Sequence, residues 1–141
     1  MNTVKIIYWS GTGNTEMMAE AIGKGARATG ASVEVISVDQ ATQETVNAST
    51  HLILGCPSMG AEVLEESEFE PFIASTDFTG KKIALFGSYD WGDGEWMRNW
   101  GTLMEDEKSA SLVAESLIVH LTPDAEALTT CEAFGKKVTE A

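Results

Sequence analysis

Five short apolar runs, Val4–Trp9, Val33–Val38, Leu52–Gly55, Ile83–Gly87 and Leu112–Leu121, constrain the fold of this chain more than any other feature. Each is rich in Val, Ile or Leu and too continuous for a sheet with one wet face, so each reads as a parallel strand buried on both sides. Between them the apolar spacing becomes helical. Met18, Ile22, Gly25 and Ala26 share one face, Trp96, Trp100, Leu103 and Met104 a second, and Ala127, Cys131, Phe134 and Val138 a third. A helix is expected over 16–29, with weaker ones over 42–47 and 64–74, the latter bent or ended by Pro71. The last helix is expected to open on Thr122 as cap, with Pro123 in its first turn. This alternation predicts an α/β fold: an open, doubly wound, five-stranded parallel sheet with helices on both faces. Right-handed crossovers leave few strand orders, and 2-1-3-4-5 is the one adopted. At 141 residues and 43% hydrophobic content, the chain supports one well-buried core, so residues 1–141 are expected to form a single domain.

In that strand order the switch point lies between the first and third strands, and a ligand is expected beyond their carboxyl ends. The loops 10–15, 56–62 and 88–95 converge there. The first, Ser10-Gly11-Thr12-Gly13-Asn14-Thr15, follows a strand and opens a helix. Its glycines allow a tight turn, and its hydroxyls, the Asn14 amide and the helix N-terminal N–H groups can donate hydrogen bonds to a phosphate. A triphosphatase loop would need Gly-Lys-Ser/Thr, and a dinucleotide fingerprint would need Gly or Ala where this chain has Glu16. An uncharged cradle suits one terminal phosphate monoester better than a polyphosphate with its magnesium.

The second loop offers Ser58, Met59, Gly60, Ala61 and Glu62. Met59 can lie flat on a polarizable ring, Gly60 permits either of two turn conformations, and Glu62 can accept from a ring N–H. Taken alone, this loop also reads as an ordinary turn with Met59 in the core. The third loop offers Ser88, Tyr89, Asp90, Trp91, Gly92 and Asp93. Trp91 falls outside the helical stripe that assigns Trp96 and Trp100 to the core, so its indole is available for stacking. A neutral phosphate cradle with Met59 and Trp91 offered to opposite faces of a flat heterocycle fits flavin mononucleotide (FMN) best.

Through nearly all of its length the chain resembles the flavodoxins, specifically the short-chain kind of clostridia and related anaerobes. The resemblance is carried by Tyr8-Trp9-Ser10-Gly11-Thr12-Gly13-Asn14-Thr15, by Met59-Gly60 with Glu62 through Phe72, and by Phe86-Gly87-Ser88-Tyr89 with Trp91-Gly92-Asp93-Gly94. It implies that Ser10, Thr12, Gly13, Asn14, Thr15 and Ser88 hold the phosphate, that Met59 and Trp91 flank the isoalloxazine, and that Glu62 bonds N3. It also implies that the Gly60 carbonyl turns toward N5–H when one electron arrives. The function implied is a low-potential one-electron carrier that shuttles non-covalently bound FMN between semiquinone and hydroquinone. Asp90 stands where close relatives usually carry glycine, and Ala61 where some carry aspartate or serine.

Nine Lys and Arg against 22 Asp and Glu give a net charge of −13, which argues against nucleic acid and anionic membranes and favours redox partners with basic docking faces. Acidity that merely keeps the protein soluble is the competing reading. Glu62, Glu65, Glu66, Glu68, Asp90, Asp93 and Glu95 are the candidate docking acids. A monomer in the cytoplasm is expected, since no leader or apolar span is legible. Cys56 and Cys131 form no Cys-x-x-Cys pair and read as buried thiols, with neither a metal site nor a redox disulfide expected. The alternative function is an FMN-dependent NAD(P)H:quinone reductase on the same fold. Coverage of both ring faces argues against it, as does the lack of a general acid, since His51 and His120 occur singly and read as structural or surface residues.

Overall fold

The computed structural model describes residues 2–141. Strand β1 (Thr3–Tyr8) leads into α1 (Asn14–Arg27), and β2 (Ser32–Ser37) into a short 3-10 turn and α2 (Gln43–Asn47). Strand β3 (His51–Gly55) precedes α3 (Phe69–Ser75), and β4 (Lys82–Tyr89) precedes α4 (Glu95–Asp106). The chain closes with β5 (Ser111–Leu112), β6 (Leu117–His120) and α5 (Ala125–Thr139). All strand pairings are parallel, in the order β2-β1-β3-β4-β5, with β6 also on β4.

The expected order therefore holds, with one difference at the edge. The single run 112–121 is two strands: β5 pairs with Lys82 and Ile83 at the start of β4, and β6 pairs with Phe86–Tyr89 at its end. Residues 113–116 leave the ladder between them, although the Val113 N–H still reaches the Ile83 carbonyl at 2.9 Å. An edge strand needs a partner on one side only, so an excursion there interrupts no second ladder.

Alternation along the strands sends side chains into two cores. Val4, Ile6, Ile53, Ala84 and Phe86 pack with Met18 and Ile22 of α1 and Cys131 and Val138 of α5. Ile7, Leu52, Leu54, Ile83 and Leu85 pack with Val46 of α2, Phe69 and Ile73 of α3, and Trp96 and Trp100 of α4. The two tryptophans expected in the core are 1% and 2% exposed. Two helix starts differ from expectation. The cap of α5 is Asp124, whose carboxylate accepts from the Ala127 N–H at 2.8 Å, so Pro123 precedes the helix. Residues 64–68 are not helical. Pro71 falls in the first turn of α3, where its missing N–H has no intrahelical acceptor to lose.

Candidate functional site

The carboxyl ends of β1, β3 and β4 lie side by side, and main-chain bonds carry the ladder past them into the loops. The Trp9 N–H donates to Gly55 O at 3.0 Å, Cys56 N–H to Phe86 O at 3.1 Å, and Ser58 N–H to Ser88 O at 3.0 Å. Between these loops lies a cleft of about 260 Å³. Nine of the expected site residues line it: Gly11, Thr12, Asn14, Thr15, Ser58, Met59, Ser88, Tyr89 and Asp90. Trp9, Pro57 and Leu121 also line it and were not read from the sequence. Ser10 and Gly13 fall outside the lining and are hydrogen-bonded to each other within the first loop. Gly60, Ala61, Glu62, Trp91, Gly92 and Asp93 stand in the flanking loops outside the lining.

Hydrogen bonding at the cradle determines which groups remain free to hold an anion. Gly13, with φ +96°, turns the chain into α1. The Ser10 hydroxyl oxygen accepts from the N–H groups of Gly13 at 3.1 Å and Glu16 at 3.3 Å, which leaves its own proton to donate outward. Thr15 and Ser88, both buried, share a hydrogen bond of 2.8 Å, so that pair retains one free hydroxyl proton. The N–H groups of Asn14 and Thr15 belong to the first turn of α1 and have no intrahelical acceptor. No lysine or arginine lines the cleft. Donors without cations at one end, and Trp9, Met59, Tyr89 and Leu121 around the remainder, fit a phosphate monoester attached to a planar ring system.

The second loop is a tight hairpin. Met59 and Val63 exchange main-chain bonds of 2.9 and 3.0 Å, which confines Gly60, Ala61 and Glu62 to a three-residue tip. Gly60 has φ +49° and is exposed, so its peptide can reorient without moving a side chain. Glu62 is 8% exposed with φ +56°. One of its carboxylate oxygens accepts from the N–H groups of Asp93 at 3.0 Å and Gly94 at 3.4 Å. A Cβ on Gly92 would lie 1.8 Å from that oxygen, so glycine is what lets the carboxylate reach across. Glu62 thereby ties the second loop to the third. Beyond that tie, Trp91 is 58% exposed, the most exposed large hydrophobic side chain among the described residues.

Two expected docking acids point inward. Glu62 is used as above, and Glu65 is 6% exposed. Burial alone would raise the Glu65 carboxyl, but bonds from the Ser67 hydroxyl and the N–H groups of Phe69, Glu68 and Ser67 outweigh it and hold it at about 2. Glu66, Glu68, Asp90, Asp93 and Glu95 remain exposed, with Asp93 paired to Arg98 at 3.0 Å. Burial pushes the Cys56 thiol up to about 12, so it stays protonated and unreactive beside the site. His51 is buried between Thr50 and the main-chain oxygen of Ala141, remote from the cleft. His120 is at the cleft's edge, where its Nε2 meets the Asp90 carbonyl at 2.8 Å.

Comparison with known proteins agrees with this geometry. The flavodoxin family model matches residues 6–135. The chain is 53% identical to a flavodoxin of Clostridium beijerinckii over 137 residues, covering 96% of this chain and 98% of that one. It is 45% identical to a flavodoxin of Megasphaera elsdenii over 123 residues, covering 86% and 88%. The solution structure of two-electron reduced Megasphaera elsdenii flavodoxin superposes with a TM-score of 0.88 at 42% identity, covering 98% of this chain and 99% of that one. The chain belongs to the flavodoxin family and is an electron carrier that binds FMN.

Proposed function

We propose that the chain is a single FMN-binding domain that passes one electron at a time, at low potential, to redox proteins with basic docking faces, and that it acts as a monomeric carrier and not as an enzyme. The observation that carries this reading is the cation-free, donor-lined cleft at the sheet's switch point. When bound, FMN would take up one electron at a time from a redox partner and pass it to another, and the protein's residues would set how readily each transfer occurs.

In this reading the Ser10 hydroxyl, the Thr12 side chain, the Asn14 and Thr15 N–H groups and the Thr15–Ser88 pair hold the phosphate. Met59 and Trp91 cover the two faces of the ring, and Glu62 keeps their loops in register while its second oxygen accepts from a ring N–H. The Gly60 carbonyl, at the hairpin tip, turns to accept a ring proton's hydrogen bond, worth about 1 kcal/mol net. Negative charge added to a bound ring would meet a protein of net charge −13 and a cleft that no lysine or arginine lines. One unit charge about 10 Å away at an effective dielectric of about 20 contributes roughly 1.7 kcal/mol, or about 70 mV, so several carboxylates acting together lower the potential.

Titration of the apo-protein with FMN and with riboflavin tests the cradle. FMN is expected to bind at least about a hundredfold tighter, since two or more charge-assisted bonds of about 1.5–3 kcal/mol each depend on the phosphate. Equal affinities would contradict it. NADPH alone is expected to leave the flavin oxidised, whereas rapid bleaching would favour the quinone reductase.

A further inference from the structure

We propose that His120 is a positioning residue of the FMN site, fixing one end of the segment that presents Trp91. The proposal rests on the FMN-site reading above and adds a residue to it.

His120 ends β6 in register opposite Tyr89. Its Nε2 lies 2.8 Å from the Asp90 carbonyl oxygen, and its ring lies 5.0 Å from the Tyr89 ring at an interplanar angle of 43°. The next N–H, that of Leu121, donates to the Tyr89 carbonyl at 2.8 Å. Two consecutive carbonyls of the third loop are thus both held by the 120–121 corner. A carbonyl only accepts, so the neutral imidazole must carry its proton on Nε2, and the imidazolium donates from the same atom. Leu121 has φ +60°, a left-handed conformation that costs a leucine on the order of 1 kcal/mol. That conformation accompanies a Leu121 side chain that lines the cleft alongside Tyr89 and Asp90.

Further along, Glu62 holds the N–H groups of Asp93 and Gly94. Trp91 and Gly92 therefore sit between two anchors, His120 on the Asp90 carbonyl and Glu62 on the Asp93 N–H. Stacking on a ring requires the indole to be held in one place before the ring arrives, and releasing either anchor restores freedom that binding must then remove.

The test compares His120→Leu, which keeps bulk and loses the donor, with His120→Gln, whose amide can still donate. His120→Asn, too short to reach the carbonyl, repeats the Leu comparison with a polar side chain in case the Leu variant fails to fold. FMN dissociation constants and amide exchange at Trp91 and Gly92 of the apo-protein are measured for each. Losing one hydrogen bond predicts about three- to tenfold weaker FMN binding and faster exchange for Leu and Asn. Gln should remain within about twofold of wild type. Wild-type affinity and exchange in both the Leu and Asn variants would overturn the proposal, as would a Gln variant as impaired as they are. A wild-type chain that takes up no FMN would instead overturn the site reading, and this proposal with it.

Discussion

The Glu65 carboxylate accepts from the Ser67 hydroxyl and from the N–H groups of Ser67, Glu68 and Phe69 before α3 completes its first turn. These bonds do for 64–69 what a helical ladder does elsewhere, and they fix the segment leading from the Glu62 hairpin to the core residue Phe69. They are charge-assisted and strongest while Glu65 is ionised. Its folded carboxyl sits at about 2 against an ordinary 4.5, so the stability it contributes is present above pH 4.5 and disappears as pH falls toward 2. Replacing Glu65 by Ala is expected to cost about 2–3 kcal/mol at pH 7 and progressively less on acidification through that window, read from urea unfolding at several pH values. An equal cost at pH 7 and pH 2.5 would remove the ionised cap from the account.

Packing of α1 against α5 depends on glycines at the crossing. A Cβ on Gly25 would lie 1.8 Å from the Glu132 carbonyl oxygen, and one on Gly135 would lie 2.0 Å from that of Ile22. Both obstacles are backbone, so the helices must separate to admit a methyl group. Gly135→Ala is expected to lose about 2–4 kcal/mol despite its better helix propensity, measured by chemical unfolding. Elements of this kind differ in how much of them the sequence discloses. Strands β1, β3 and β4 are legible because each carries a near-continuous apolar run whose successive residues enter the two cores on opposite faces. The break between β5 and β6 was not, because an apolar run does not record which residues leave an edge ladder. The helix expected over 64–74 begins only at Phe69, since the bonds to Glu65 are decided by a carboxylate folding back on its own chain. Trp9, Pro57, Leu121 and His120 escaped for a related reason. Their place at the cleft follows from which strand ends become neighbours, and no spacing within their own segments reports that. Thr15, Ser88 and Met59 were legible because residue type and loop position already implied their chemistry.

The whole molecule carries 13 more negative than positive charges, and the cleft adds no cation to offset them. Asp90 lines the cleft and is exposed, so among these charges it is placed to act on the ring edge. Asp90→Gly is expected to raise the potential of the second electron addition by tens of millivolts, an order set by one partly screened charge at about 10 Å. Docking through Glu66, Glu68, Asp93 and Glu95 predicts association with a basic redox partner that slows steeply with added salt in stopped-flow measurements. A salt-independent rate would reject steering by these carboxylates. Across the molecule, the sheet builds the cleft, and in the proposed reading the loops select a phosphate monoester while the overall charge governs the second electron.

The most direct test of that account is a spectroelectrochemical titration of the FMN-loaded protein that resolves both electron additions. The account predicts two separate one-electron steps, the second at clearly lower potential, with a long-wavelength absorbance rising and falling between them. A single two-electron step without that absorbance would contradict it.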